Sequence, residues 1–311
     1  MAGRGESPRL DVSAWDLLGQ EPSGLSEHPW LRRPGDEQLW LWKPVEVKAG
    51  NRQGEDWAEK VVSEIGLRLS VPCARVELAR RSERDGSISR DIKPRGWDLQ
   101  PGAALLDGHV EGYESKTKYR SGHSLDNVHE VLTDLRPPPD APAVSGLSAY
   151  DVFCGYLVLD ALVANSDRHD HNWAVVLPPT LQDERPALAA SYDHASSLGF
   201  NLRDERRDRF VAEGTVSRFA GRGVARRFEH APPPTSIETL VGLARRALLR
   251  ATAEARSHWM TALMTLDLDR DVSDVVHSTA GMSASARRFA IELLTTNRER
   301  LLAPDDREDA V

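Results

Sequence analysis

The chain has 311 residues, 40% of them hydrophobic and 28% charged, with 40 Lys and Arg against 48 Asp and Glu. That length suits one large core or two modest ones, and the ordinary globular composition excludes wholesale disorder. A net charge of -8 speaks against a general nucleic-acid binder, whose surface would be basic.

Cys73 and Cys154 lie far apart in apolar surroundings and read as reduced thiols rather than a disulfide framework. The N-terminal stretch from Met1 to Ser13 lacks the apolar run of a secretory signal. Between Val152 and Ala164 the longest apolar stretch includes Asp160 and falls short of the roughly 20 residues that span a bilayer. The expected location is the cytoplasm, with neither a membrane nor a nucleic acid as partner.

In chain order, Leu39 to Val47 (LWLWKPVEV) predicts a strand that ends or bends at Pro44, with Lys43 inside it. From Gly54 to Leu69, Trp57, Val61, Val62, Ile65 and Leu69 recur at helical spacing, while Glu55, Glu59 and Glu64 fall on other faces. Pro72 stops that helix. Val71 to Leu78 has strand character, and Arg80 to Gly86 reads as a charged turn. Gly96, Pro101 and Gly102 mark Arg95 to Leu106 as a connector between lobes.

Ser148 opens a helix with Asp151 three residues on, a capping pattern, and Val152, Tyr156, Leu159 and Val163 form its buried face up to Asn165. Trp173 to Leu177 and Leu188 to Tyr192 predict a hairpin. The stretch from Asn201 to Phe228 is rich in Arg and Gly, and its arginines from Arg203 to Arg227 read as a solvated, mobile segment rather than a phosphosubstrate site. Ser236 to Leu266 and Met282 to Leu302 are helical by period. The order predicts an α+β protein, with a small mixed lobe over residues 1–100 and a larger, mainly helical lobe over 101–311.

The sharpest motif is Asn165-Ser166-Asp167-Arg168-His169-Asp170-His171-Asn172, between the buried helix and the hairpin. Asp193 follows the hairpin, in Tyr192-Asp193-His194-Ala195-Ser196-Ser197-Leu198-Gly199. Kinases place an Asp on the catalytic loop to orient the acceptor hydroxyl, then an Asn five residues later and a second Asp after the next hairpin to hold magnesium against the ATP phosphates. Asp167, Asn172 and Asp193 have those spacings. The position after Asp193, where the Arg-rich stretch falls, is also where kinases keep activation and substrate-docking segments. A transferring phosphoryl group carries dense negative charge, so hard oxygen ligands must fix the metal while a carboxylate steers the nucleophile.

Lys43 completes the set. A lysine inside an apolar strand is costly unless its ammonium meets anions, and only six of the 40 basic residues here are lysine. Its expected glutamate partner is Glu59, with Glu55 one turn earlier as the alternative.

Gly24 to Leu31 (GLSEHPWL), Leu39 to Pro44, Gly54 to Lys60 (GEDWAEK), Asn165 to Asn172 and Tyr192 to Gly199 together resemble the HipA-like kinase family, particularly its compact members. The resemblance implies a protein-kinase-like fold with ATP and Mg2+ as cofactors. It makes Asp167 the catalytic aspartate, Asn172 and Asp193 the metal ligands, and Lys43 an ATP contact. Gly24, Ser26 and His28 would lie over the phosphates, the latter two where compact members carry lysines. Gln100, within Trp97 to Gly102, would lie near the adenine. His169 joins the cofactor-binding set as the residue that braces the loop, and His171 stands where HipA toxins have a lysine.

The acceptor that the resemblance implies is a protein serine or threonine hydroxyl. The alternatives are a small-molecule phosphotransferase on the same scaffold, a nucleotide-binding pseudokinase, or a metallohydrolase built on His169, Asp170, His171, Asp193 and His194. The N-terminal extension of many HipA toxins has no counterpart in this sequence, which leaves an antitoxin partner open.

Overall fold

The computed structural model describes residues 7–20, 28–180 and 184–304. Its smaller lobe opens with β1 (Leu10–Asp11), β2 (Asp16–Gln20) and β3 (Pro29–Arg32), followed by β4 (Leu39–Pro44), the aromatic strand expected around Lys43. A short hairpin, β5 (Val47–Lys48) and β6 (Asn51–Arg52), leads into α1 (Glu55–Arg68), then β7 (Val76–Arg81) and β8 (Arg84–Arg90). Six of these strands form one sheet in the order β1-β7-β8-β4-β3-β2, with β1 parallel to β7 and the other neighbours antiparallel.

The charged stretch at Arg80–Gly86 is mostly strand rather than turn. Arg80 pairs with Asp85 and Arg81 with Arg84, leaving Ser82 and Glu83 as the bend. One opposite-charge pair faces across the ladder, Arg80 Nε 2.8 Å from Asp85 Oδ1, beside the like-charged Arg81 and Arg84. Charge density alone is therefore a poor marker of a turn.

The larger lobe starts with β9 (Asp98–Pro101), α2 (Gly102–His109), α3 (Leu125–Leu132) and α4 (Ala149–Val163). Then come β10 (Ala174–Leu177), β11 (Ala187–Leu188), α5 (Asp204–Ala212), α6 (Val216–Gly221), α7 (Leu240–Arg250), α8 (Ala253–Thr265), α9 (Ser273–Ser278) and α10 (Ala284–Leu302). The expected hairpin is β10 with β11, and β9 adds a third antiparallel strand to it. Between α5 and α6 the Arg-rich stretch is folded rather than mobile: Leu202, Val216 and Ala220 pack with Phe289 and Leu293 of α10.

Helix α4 is the spine of this lobe. Ser148 and Asp151 exchange both hydrogen bonds of a capping box, and all fifteen residues from Ala149 to Val163 are buried. Trp57, Val61, Val62, Ile65 and Leu69 on α1 belong to the same apolar cluster as α4, so the two lobes share a core. The chain packs so closely there that a Cβ added at Gly66 would sit 2.5 Å from Cys73 Sγ. Trp42 sits in the small-lobe core with Trp15 and Trp40 packed against it, while Trp57 turns toward the larger core. Among the described residues no helix is long and apolar enough to cross a membrane.

Candidate active site

Helix α4 ends on Ala164 in the left-handed conformation, and the chain turns there into the loop that carries Asp167. The turn is braced from inside. Asp160, in the last turn of α4, and Arg168 are each 2% exposed and meet in a two-point pair, Nε to Oδ2 at 2.7 Å and Nη2 to Oδ1 at 2.8 Å. Two buried charges are tolerable only because the remaining donors are also used. Arg168 donates to the Asn172 carbonyl at 2.5 Å and to Ser191 Oγ at 2.9 Å. One guanidinium thus ties the helix end, the catalytic-type loop and the approach to Asp193 together.

On this brace, Asp167 is half-buried, and its backbone carbonyl accepts Asn172 Nδ2 at 2.8 Å. That bond fixes the Asn172 amide with its nitrogen turned to Asp167, so Oδ1 points the other way. Asp167 itself is held by a residue that spacing rules did not single out: Arg227 Nε and Nη2 both reach Oδ1, each at 2.6 Å. Among the described residues nothing donates to Oδ2 of Asp167.

Arg227 is positioned in turn by His123, which is 2% exposed and stacked against Phe228 at 4.4 Å. Trp173 can only donate, and its Nε1 lies 3.1 Å from His123 Nε2. The imidazole proton therefore sits on Nδ1 and is given to the Arg227 carbonyl at 2.6 Å. Burial pushes this histidine down to about 4, so it stays neutral near neutral pH. Gly102 makes room for the arrangement, because a Cβ there would fall 2.1 Å from the Trp173 ring.

Asp193 lies beyond β11 with a positive φ of 59°, a backbone strain that Asp tolerates better than most residues. Its Oδ1 accepts Lys43 Nζ at 2.7 Å from the other lobe. Lys43 also stands 3.7 Å from Glu59 Oε1. Glu55, the alternative, instead accepts the backbone N–H of Glu46 at 3.3 Å. Burial alone would raise the Asp193 carboxyl, but the adjacent Lys43 ammonium, helped by His169 and His194, carries it to about 2. It is ionised throughout the physiological range.

The start of α1 and the segment that follows its end are fastened beside this group. Gly54 N–H donates to the Phe200 carbonyl at 2.9 Å, and Ala74 N–H to the Ser191 carbonyl at 2.8 Å. His194, 1% exposed, bonds Ser191 through Nε2 at 2.8 Å, and its Nδ1 is 3.8 Å from Glu59 Oε2.

His28 is in the fields of Lys43 and Asp193, and burial, with the Lys43 charge second, lowers its pKa. His169 accepts the His171 backbone N–H through Nδ1 at 3.1 Å, so it braces the loop. Its pKa is lowered by burial against the pull of Asp167 and Asp193. Gln100 sits in β9 opposite Val175. Gly24 and Ser26 lie outside the described residues. Among the described residues no three His, Cys, Asp or Glu side chains converge as a metal cage.

The donor set nevertheless suits magnesium. Asn172 offers one amide oxygen and Asp193 a second carboxylate oxygen, Oδ2, beside the Oδ1 that meets Lys43. Mg2+ takes hard oxygens and commonly uses only one or two protein carboxylates together with substrate phosphates.

A curled sheet with one fastened helix, seated on a helical lobe that carries the loop and hairpin, is a two-lobed α+β fold of the protein-kinase-like class. Among solved structures the chain is similar to the Helicobacter pylori proinflammatory kinase CtkA, with a TM-score of 0.70 at 15% sequence identity, covering 95% of each chain. Lower similarity is found to HipA of Shewanella oneidensis MR-1, solved with HipB and its operator DNA, with a TM-score of 0.44 at 13% identity over 92% of this chain and 66% of that one. The kinase domain of Mycobacterium tuberculosis PknI gives 0.33 at 15% identity, over 95% of this chain and 100% of that one. At the level of sequence, no family profile and no curated protein matches.

Proposed function

We infer that the chain is an ATP- and magnesium-dependent phosphotransferase whose acceptor is a serine or threonine hydroxyl on a protein. The observation that carries this reading is the contact of Lys43 with Asp193 and Glu59, which brings an ammonium from one lobe against the carboxylate that follows the hairpin of the other. The fold shared with CtkA supports the nucleotide-dependent class, and the HipA-like motifs support a protein acceptor.

In this reading Glu59 holds Lys43 upright, and the ammonium meets the ATP phosphates as a point charge. Asn172 Oδ1 and Asp193 Oδ2 would hold the magnesium, which supplies charge neutralisation for the transferring group. Asp167 receives the acceptor hydroxyl on Oδ2, the oxygen that Arg227 leaves open. Because Arg227 neutralises the carboxylate, Asp167 acts mainly by orienting the hydroxyl, and a loose transition state asks for little more. His28 and His169 line the approach as neutral donors or acceptors.

The test is incubation of the purified chain with γ-labelled ATP and magnesium, alone and with cell extract. Label should pass to protein in wild type and not in Asp167→Ala. Full transfer by Asp167→Ala would overturn the assignment; label passing only to small alcohols would replace the protein acceptor with a metabolite.

A further inference from the structure

In the sequence between Asp193 and Arg227 the chain folds as α5 and α6, which line an open groove of about 660 Å³. Five arginines line it, Arg203, Arg206, Arg209, Arg218 and Arg222, against only Glu205 and Glu213. All five are exposed. Arg206 and Arg209 lie three apart on α5 with Arg203 at its N-cap, and Arg218 lies on α6 with Arg222 at its C-cap. Among the described residues none of the five has a carboxylate partner, in a protein whose net charge is -8.

The scaffold beneath them is rigid. Buried Arg207 donates to the Gly199 carbonyl at 2.9 Å, Ser283 Oγ to Asp204 at 2.8 Å, and Arg288 to Asp208 at 2.8 Å. The inward face of α5 is thereby tied down, and the outward arginines are held together. Arg206 is further oriented by stacking over the Phe210 ring at 5.6 Å. Holding several like charges in one concavity without counter-charge is unfavourable by itself and becomes favourable when an anion enters.

Resting on the phosphotransferase reading above, we propose that this groove docks an acidic stretch of the acceptor protein and so delivers the neighbouring hydroxyl to Asp167. A polypeptide fits better than a polynucleotide. The positive surplus is confined to one short concavity instead of a stripe, the two glutamates interrupt it, and the rest of an acidic protein repels a continuous phosphate backbone. Half-buried Phe210 adds an apolar contact suited to a peptide side chain.

The experiment measures binding by fluorescence anisotropy at low salt, using a labelled Glu/Ser peptide, a Gln/Ser peptide of the same length and a single-stranded oligonucleotide. The full chain is compared with the variant Arg206→Glu/Arg209→Glu/Arg218→Glu and with its milder Gln counterpart, and MgATP binding is followed in parallel by calorimetry. Wild type should bind the acidic peptide in a salt-sensitive manner, and both variants should lose about tenfold or more in affinity while keeping the wild-type response to MgATP. Equal binding of the Gln/Ser peptide, undiminished binding by the variants, or tighter binding of the oligonucleotide through the same arginines would overturn the proposal. If wild type binds the acidic peptide but not MgATP, the groove stands as an acidic-peptide site and the phosphotransferase reading is what falls.

Discussion

Arg227 clamps Asp167 on a single oxygen, with Nε and Nη2 both 2.6 Å from Oδ1 across 60 residues of chain. A charge-assisted contact of this kind contributes about 1.5–3 kcal/mol, and in the proposed reading its effect is to choose which oxygen meets the acceptor. Arg227→Ala is therefore expected to lower kcat for phosphoryl transfer about ten- to a hundredfold while the dissociation constant for MgATP stays unchanged. Arg227→Lys should recover only part of the loss, since one ammonium cannot reproduce the two-point hold. Steady-state kinetics beside calorimetry check this, and a parallel loss of ATP affinity would show that Arg227 serves the nucleotide instead.

In the proposed reading Lys43 bears on ATP, not on the acceptor. In Lys43→Met, MgATP affinity should fall about tenfold or more, because the ammonium that offsets Asp193 and Glu59 is gone and two like charges remain. Glu59→Gln should fall less, as its oxygen is 3.7 Å from Lys43 where that of Asp193 is 2.7 Å. Calorimetric titration with MgATP gives the order; a Lys43→Met protein that binds normally would contradict it.

Asp160 and Arg168 concern stability. Asp160→Ala leaves a buried guanidinium without its partner and should cost about 3–5 kcal/mol, read as a lower urea midpoint. Removing Asp126, which pairs with Arg250 where both side chains remain substantially exposed, should cost below about 1 kcal/mol. Similar losses for the two variants would mean that the Arg168 pair is not the brace described.

His123 sets an acid limit. Its folded value of about 4 lies below the ordinary 6.5, so the unfolded chain takes up a proton before the folded one does. Stability from this residue is then complete above pH 6.5 and drains away as the pH falls toward 4, on the order of 3 kcal/mol in all. His123→Gln should be less stable at neutral pH and should show a flatter decline over that window. Urea titrations across pH values decide; an unchanged slope in the variant would rule out His123 as the titrating group.

The parts of the site that sequence could reveal are those with fixed spacing or an anomalous residue type. Asp167 and Asn172 are five apart in one loop, and Lys43 interrupts an apolar strand. Asp160 stood out as the charge inside the apolar stretch from Val152 to Ala164, but its partner Arg168, eight residues on, emerges only from the structure. Arg227 was not legible. It sits among many arginines, and only tertiary structure shows which one turns inward beside His123. The stretch from Asn201 to Phe228 misled because α5 buries so little: its outward arginines dominate the pattern, and the apolar contacts that fold it, Phe210 and Phe219 against Phe289, reach to α10 far along the chain.

Helix α1 carries Glu59, and its burial has a regulatory consequence. Five large apolar side chains, Trp57, Val61, Val62, Ile65 and Leu69, sit in the core shared with α4. At about 1.5–3 kcal/mol each, extracting them would cost on the order of 10 kcal/mol, beyond the few kcal/mol by which an effector usually tips a conformational balance. If the proposed activity holds, swinging that helix outward would be a costly way to switch it off. In the proposed reading, control would fall to contacts that cost less to break, such as the one between Arg227 and Asp167.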